Sequence, residues 1–241
     1  MLFDAVGACS RMLRVSGRLD IDGVVGGQPV RARLWYGVMM DAALRLETRE
    51  GSTARPFVFS AFHEEGRLFL PNDNTTISGP SAAAILNAAF GLPLRPATWE
   101  RILVCPTAGS GGGFSAENLG AGWLRSIGSG RDGMVFAYFK RLANGEWDLV
   151  TMMGRTEGSS IGWRADFHRR RSDGWRKVRL VGIDWIGRKP RDFDLVLTTE
   201  PTQINSLLDQ RDFSVQVPPT ARAITLDELH RSNLLMAANV R

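Results

Sequence analysis

The chain has 241 residues, 44% of them hydrophobic, and a formal net charge of +5, which is ordinary for a globular protein with a sizeable core. Seven Trp and twelve Phe are spread along the chain and argue against disorder, and no apolar run approaches the ~20 residues that cross a bilayer. Only three of the 30 basic residues are lysines, and the arginines recur mostly singly, whereas nucleic-acid binders cluster their positive charge. We therefore expect no nucleic-acid partner.

The N-terminal part is predicted to be a short helix followed by successive hairpins. Residues 1–13 mix apolar and polar side chains without alternation, which predicts the helix. From residue 14 onward the two kinds of side chain alternate with the period of half-buried strands. This alternation predicts strands at 14–21, 28–37, 44–47, 57–62 and 68–70. The turns between them are too short for helical crossovers, so neighbouring strands are expected to be antiparallel.

Two predicted helices interrupt this pattern at residues 80–104. A Pro-Ser start signal precedes residues 82–90, which are apolar almost all the way round, and Gly and Pro follow them. A second short helix is predicted at 96–103. Because a helix with so little polar surface has to be buried, we expect the segment to form a plug or lid on the concave face of the sheet.

The rest of the chain is predicted to return to strands after a long loop. Residues 106–132 are rich in Gly and Ser and predict a glycine-rich loop with one short strand around Trp123. Further strands are predicted at 134–139, 147–153, 161–167, 174–185 and 192–199, with a last edge strand at 213–217. Thr225 is expected to cap a terminal helix. Strands on both sides of the helical segment share one turn pattern, which favours a single, mainly β domain over 1–241.

The sequence contains no catalytic or metal-binding constellation. His63, His168 and His230 stand apart from one another, without the spacing of metal ligands. The segment 158–162 matches the GxSxG nucleophile pattern, but strand-like alternation follows it instead of the helix that a hydrolase needs. We therefore predict no catalytic residue, no metal and no cofactor.

Several strands carry large apolar residues on both faces, more than a sheet with one solvated face requires. Phe57 and Phe59 alternate with Val58, and Phe136 and Tyr138 alternate with Val135, Ala137 and Phe139. One interpretation is an ordinary core under the helices; the other is a cavity between sheet and helix that takes an acyl chain. The candidate cavity residues are Trp35, Leu44, Leu46, Phe57, Phe59, Leu68, Leu70, Ile85, Phe90, Phe136, Tyr138, Trp147, Trp163 and Phe167. Two alternatives stay open: a small enzyme that uses Trp35, Tyr138, Trp147 and Trp163 to hold an aromatic or isoprenoid-like substrate, and a scaffold with a filled core.

The two cysteines and the arginine run leave further alternatives open. Cys9 and Cys105 could form a disulfide, which would stabilise by ~3–5 kcal/mol, or be two free buried thiols. Cys9 also ends a Val-Gly-Ala-Cys tetrapeptide of the kind at which bacterial lipoproteins are cleaved and acylated. Either an upstream signal has been removed or the tetrapeptide is accidental; we favour removal, with Cys9 inside the short first helix. Arg169–Arg171, with the basic residues at 176–179, indicates either a solvated sheet face or a contact with an anionic membrane surface.

Four short motifs and the order of the elements resemble the LolA/LolB group of lipoprotein carriers. They are Val-Ser-Gly-Arg-Leu at 15–19, Leu-Arg-Leu-Glu at 44–47, Gly-Leu-Pro-Leu-Arg-Pro at 91–96 and Asp-Phe-Ser-Val-Gln-Val-Pro-Pro at 212–219. The resemblance implies an unclosed β-barrel of about 11 strands with a helical lid and a cavity for the acyl chains of lipoproteins. It also implies a monomer in the bacterial periplasm or at the outer membrane, a setting that suits a Cys9–Cys105 disulfide.

Overall fold

The structure is a computed structural model that describes residues 12–49, 52, 54–105, 114–130, 133–155, 161–168, 176–184, 190–205, 208–232 and 234. Its described part contains one 14-stranded sheet and three α-helices. The strands are β1 (Arg14–Val25), β2 (Gln28–Met39), β3 (Ala43–Thr48), β4 (Val58–Phe62), β5 (Glu65–Leu70), β6 (Thr75–Ser81), β7 (Phe114–Gly120), β8 (Trp123–Gly130), β9 (Gly133–Arg141), β10 (Trp147–Arg155), β11 (Ile161–Phe167), β12 (Arg176–Asp184), β13 (Pro190–Ile204) and β14 (Arg222–Ala223). The helices are α1 (Ala82–Phe90), α2 (Pro96–Leu103) and α3 (Leu226–Ser232).

The sheet consists of two series of hairpins, and one pair of strands that are distant in sequence, β1 and β13, joins them. The strand order is β14-β6-β5-β4-β3-β2-β1-β13-β12-β11-β10-β9-β8-β7, so the β1–β13 pair joins the two halves. All neighbours are antiparallel except the β14–β6 pair. Tight turn chemistry sets the register: Gly26 and Gly27 connect β1 to β2 with φ values of 56° and 77°, which glycine adopts without steric cost. The prediction of a mainly β, unclosed antiparallel sheet is confirmed.

Alternation places the apolar side chains on one face, which we call the inner face. Leu19 on β1 pairs with Leu34 on β2 and with Thr199 on β13, and all three side chains are buried. All three helices contribute to the same apolar cluster as the inner-face residues of both halves of the sheet. The opposite, outer face carries ion pairs such as Arg33–Asp20 and Arg164–Asp166.

Four predictions about the elements need correction. The sheet has 14 strands instead of about 11. Residues 106–132 are not one long loop, because β7 and β8 form a hairpin in this range around Gly120 and Gly122, both with positive φ. Strand β6 was missed because Ile77 is its only fully buried apolar residue. Residues 213–217 do not form an edge strand, because the chain here crosses the outer face and does not lie beside a strand. The predicted N-terminal helix falls almost entirely outside the described residues.

The segment 208–223, which we call the C-terminal strap, crosses the outer face from β13 toward β14. It begins with a 3-10 turn at Gln210–Phe213. The Arg45 Nη1 donates to the carbonyl oxygens of Asp212 and Ser214 at 2.8 and 3.1 Å, and the Ser60 hydroxyl donates to the Phe213 carbonyl. The strap then adds β14 beside β6, and the chain continues into α3 on the inner side.

Helix α3 packs on α1 and begins at the predicted cap. Thr225 Oγ1 accepts from the Glu228 amide at 3.2 Å, and the Glu228 carboxylate accepts from the Thr225 amide at 2.8 Å, which is a capping box. Hydrogen bonding from the Thr225 backbone, with help from Arg222 and the Thr225 hydroxyl, lowers the pKa of Glu228 to about 2. Leu229 is fully buried, so the prediction of a capped terminal helix is confirmed.

Candidate functional site

The inner face of β3–β5 forms an apolar wall opposite α1. We call the predicted residues of this region the inner wall: Leu44, Leu46, Phe57, Phe59, Leu68 and Leu70. None of them is more than 3% exposed, and they belong to one apolar cluster with the predicted helix residues Ile85 and Phe90. The structure therefore brings these eight predicted residues together in one buried apolar cluster.

Helix α1 lies on this wall because small residues let it approach. A Cβ added to Gly66 would lie 2.6 Å from the Cα of Ala82, so the first turn of α1 rests directly on the backbone of β5. The Ser81 hydroxyl accepts from the Ala84 amide and caps the helix, and Gly91 ends it with a φ of 66°. At this end the Phe90 ring packs against inner-wall Phe57 with ring centroids 5.1 Å apart.

Helix α2 extends the same layer and contains buried polar groups. Glu100 and Arg101 are only 4% and 3% exposed. The Glu100 carboxylate accepts from the backbone amide of Asp41 at 3.0 Å, in the turn between β2 and β3. This bond fastens α2 to the sheet at the end of a hairpin, because a buried carboxylate is stable only when it is hydrogen-bonded.

Further predicted cavity residues lie on the inner side in the second half of the sheet. Trp163 and Phe167 are 5% and 7% exposed and belong to the same apolar cluster, and Trp147 is partly buried against it. The Arg176 guanidinium covers the Phe167 ring at 4.2 Å from its centroid. These side chains lie on β10 and β11, away from α1.

Three predicted cavity residues lie on the outer face instead. Trp35 is the cross-strand partner of Arg18 and Glu47 and has the same parity as Arg33. Phe136 and Tyr138 alternate with the buried residues Val135, Ala137 and Phe139. Parity with neighbouring charged residues would have indicated this for Trp35, since side chains two residues apart on a strand share a face. For Phe136 and Tyr138 the charged residues at the end of the strand, Lys140 and Arg141, fall on opposite faces, so parity does not decide the orientation.

The outer face is built from cross-strand pairs of opposite charge. The Arg179 guanidinium donates to both Asp194 oxygens, at 3.0 and 2.6 Å, and this hydrogen bonding lowers the pKa of Asp194. Hydrogen bonding to Glu117, with Tyr138 assisting, raises the pKa of Arg125. Exposed pairs of this kind contribute little to stability. Arg179 belongs to the predicted basic run, whose residues 169–171 lie outside the described residues.

Cys105, at the end of the α2 segment, is buried and disulfide-bonded. The only other cysteine of the chain is Cys9, which lies outside the described residues. The Cys9–Cys105 bridge therefore stays a prediction.

Neither a metal cluster nor a membrane-spanning helix is found in the described part of the chain. No three His, Cys, Asp or Glu side chains lie close enough there to hold a metal ion. None of the described helices is long and apolar enough to span a membrane.

Comparisons with known proteins identify the fold. No protein-family model matches the chain, and no curated protein matches it. Among solved structures, it is similar to a LolA superfamily protein from Nitrosomonas europaea, with a TM-score of 0.52 and 8% identity over 85% of this chain and 91% of that one. It is more weakly similar to an outer membrane lipoprotein-sorting protein domain from Vibrio parahaemolyticus, with a TM-score of 0.44 and 8% identity over 83% of this chain and 89% of that one. It is also weakly similar to an uncharacterized conserved protein from Thermus thermophilus, with a TM-score of 0.41 and 12% identity over 92% of this chain and 96% of that one. The chain thus has the LolA-like fold that its sequence motifs predict.

Proposed function

We propose that this protein binds a hydrophobic ligand, an acyl chain of a lipid or lipoprotein, between the inner wall and the helices, without catalysing a reaction. The observation that carries the proposal is the pairing of two apolar surfaces that belong to separate layers. The inner wall is one surface, and Ile85, Leu86 and Phe90 of α1 are the other. If the helices moved away, the sheet would present a continuous apolar trough.

The helical layer is held to the sheet by apolar contacts and by a small number of described hydrogen bonds. These include the Ala82 amide to the Glu64 carbonyl, the Asp41 amide to the Glu100 carboxylate, and the Arg55 amide to the Leu234 carbonyl. An acyl chain that replaces the Ile85 and Phe90 side chains against the wall recovers about 0.8 kcal/mol for each buried methylene. Exchange of one apolar contact for another therefore costs little, and binding and release are both accessible.

The fold supports the same proposal. The chain is similar in structure to a LolA superfamily protein, and its open sheet with a helical cover is compatible with carriage of an acyl chain between the two layers. We therefore propose that the protein acts in the bacterial cell envelope, in the periplasm or at the outer membrane.

The alternative that the protein is an enzyme is less well supported by the structure than by the sequence. It relied on four aromatic residues converging on one cavity, but Trp35 and Tyr138 lie on the outer face, opposite Trp163. The filled-core scaffold is retained as an outcome of the test.

The test is ligand capture by the wild-type protein, followed by mapping. Native mass spectrometry of protein purified from a bacterial host should show a co-purifying acyl species, and a photoreactive fatty acid should label β3–β5 and α1. The variant Leu46→Phe adds volume to the inner wall and should weaken uptake of an uncharged apolar dye about tenfold. The control Met134→Phe introduces the same side chain on the outer face, where Met134 is 49% exposed, and should leave uptake unchanged.

Two results would contradict the proposal. A clean apo mass with no dye uptake would identify a scaffold with a filled core. Full uptake by a folded Leu46→Phe variant would place the ligand away from the inner wall.

A further inference from the structure

A groove lies on the outer face, on the side of the sheet opposite the inner wall. It has a volume of about 540 Å³ and lies between strands β2–β5 and the C-terminal strap. Its floor follows one cross-strand row, in which Trp35 pairs with Glu47, Glu47 with Val58, and Val58 with Phe69. This volume falls within the range of about 300–1,000 Å³ that is typical of small-molecule sites.

The walls of this outer groove are fixed in place. The two Arg45 hydrogen bonds and the Ser60 hydrogen bond fasten the strap to β3 and β4. Phe213 and Val215 of the strap are 3% and 6% exposed, so they anchor it against the sheet. The groove is therefore formed before any ligand arrives, which lowers the entropic cost of binding.

Trp35 lies flat in the groove. A Cβ on Gly37 would lie 2.7 Å from the Cη2 atom of Trp35, so the indole ring covers the glycine, the next residue on its face of the strand. The Arg49 guanidinium lies 5.9 Å from the ring centroid, within reach of a cation–π interaction. The glycine thus allows the indole to serve as a flat apolar surface beside a cation.

The charges around the groove do not cancel. The charged side chains that line it are Arg45, Arg49, Arg211, Glu47 and Asp212, an excess of one positive charge. The Glu47 carboxylate lies 2.9 Å from the Arg45 guanidinium, and the Asp212 carboxylate, which keeps its charge, accepts from the Asp209 amide at 2.7 Å. Arg49 and Arg211 also line the groove, yet within the described part of the chain neither guanidinium has a carboxylate partner. Arg49 and Arg211 therefore line the groove as cations without a described carboxylate partner, together with the apolar side chains of Trp35, Val58, Phe69, Pro71 and Val215.

We propose that this groove is a binding site for an anionic amphiphile, with the acidic head group held by Arg49 and Arg211 and the apolar part on the Trp35–Val58–Phe69 row. Guanidinium groups bind carboxylate and phosphate oxygens through paired hydrogen bonds, and both head groups satisfy this chemistry. The site is separate from the acyl-chain site above and does not depend on it.

The test measures binding of octyl phosphate, octanoate, inorganic phosphate and octyltrimethylammonium by calorimetry, with the indole N–H signal of Trp35 as the reporter of location. At least one anionic octyl compound should bind and shift this signal, and inorganic phosphate and the cation should bind at least tenfold more weakly. Preference for octyl phosphate would identify a phospholipid-type head group and preference for octanoate a fatty acid.

Three variants locate the interaction. Arg49→Gln with Arg211→Gln should weaken binding about tenfold, because each exposed cation contributes a few-fold. Arg31→Gln removes an outer-face arginine on the same strand as Trp35 but outside the groove, and should bind like the wild type. Gly37→Ala should weaken binding by displacing the Trp35 ring, with a circular dichroism spectrum that shows the sheet intact.

The proposal is overturned if the double glutamine variant binds as well as the wild type, or if the cationic amphiphile binds equally. It is also overturned if the Leu46→Phe variant of the inner wall, when folded, loses the octyl phosphate interaction, because the ligand would then lie on the other face.

Discussion

Replacement of Gly66 by Ala tests how closely α1 lies on the sheet. The added Cβ would lie 2.6 Å from the Cα of Ala82, 3.1 Å from its Cβ and 3.0 Å from the Cδ1 of Ile85, whereas carbon atoms in contact prefer about 3.5–4.0 Å. The start of α1 would have to move by roughly 1 Å. Overpacking of this kind costs about 1–3 kcal/mol, so we expect the free energy of unfolding to fall by about 2 kcal/mol.

Urea denaturation, monitored by Trp fluorescence, measures the change in the free energy of unfolding. The sign of this change decides between the two possibilities. At a site with open space and ordinary φ, Gly→Ala stabilises a protein by about 0.4–1 kcal/mol because it restricts the unfolded chain. A Gly66→Ala variant that is more stable than the wild type would refute the close approach of α1. Adding Gly66→Ala to an Ala82→Gly background should still destabilise, because removing the Ala82 methyl leaves its Cα in contact; full rescue would show that only the methyl group is in the way. If α1 covers the ligand site, Gly66→Ala should also increase uptake of an apolar dye.

Three further predictions concern the helix layer, the cap and the disulfide. Phe90→Ala should lower the free energy of unfolding by about 3–4 kcal/mol, since it empties a buried site, whereas Phe62→Ala, at a side chain 36% exposed, should cost less than about 1 kcal/mol; equal effects in urea denaturation would contradict the burial of α1. The pKa of Glu228 is lowered to about 2, so the stability that its carboxylate adds to α3 is complete above the ordinary pKa near 4.5 and is lost as pH falls toward 2. Amide hydrogen exchange in α3 should accelerate over that pH interval, and Glu228→Gln should remove the pH dependence. Peptide mapping without reductant should recover Cys105 linked to Cys9, and reduction should destabilise by ~3–5 kcal/mol; recovery of Cys105 as a free thiol would contradict this bridge.

Strands β1–β5 and helix α1 could be predicted because in each of them a strong local pattern agrees with the tertiary environment. Leu44 and Leu46 alternate with charged residues, so only one face can be buried. The strands that were missed lack this agreement. Residues 115–120 of edge strand β7 are all exposed, so no apolar period marks them, and the glycines of its turn suggest a loop. Alternation identifies strands that cover a core and not strands that only extend a sheet.

The outer groove could not be predicted from local sequence patterns either. The strap supplies one of its walls, and its contacts with Arg45 and Ser60 join residues more than 150 positions apart in sequence. Local patterns carry no information about such contacts, because they depend on where the chain crosses the sheet. The apolar Val-Gln-Val segment at 215–217 is therefore compatible with both an edge strand and a strap.

The fold class follows from local patterns alone, because hairpin turns, alternating strands and one helix without a polar face require an antiparallel sheet wrapped over that helix. Which aromatic residues face the helix and which face outward depends instead on contacts across the sheet. Both faces of β9 are apolar, so the orientation of Phe136 and Tyr138 depends on the register with β10 and β8. A shift by one residue exchanges the two faces of a strand, and pairing across the whole sheet fixes that register. The same pairing gathers the inner wall under α1 and leaves Trp35 in the outer groove.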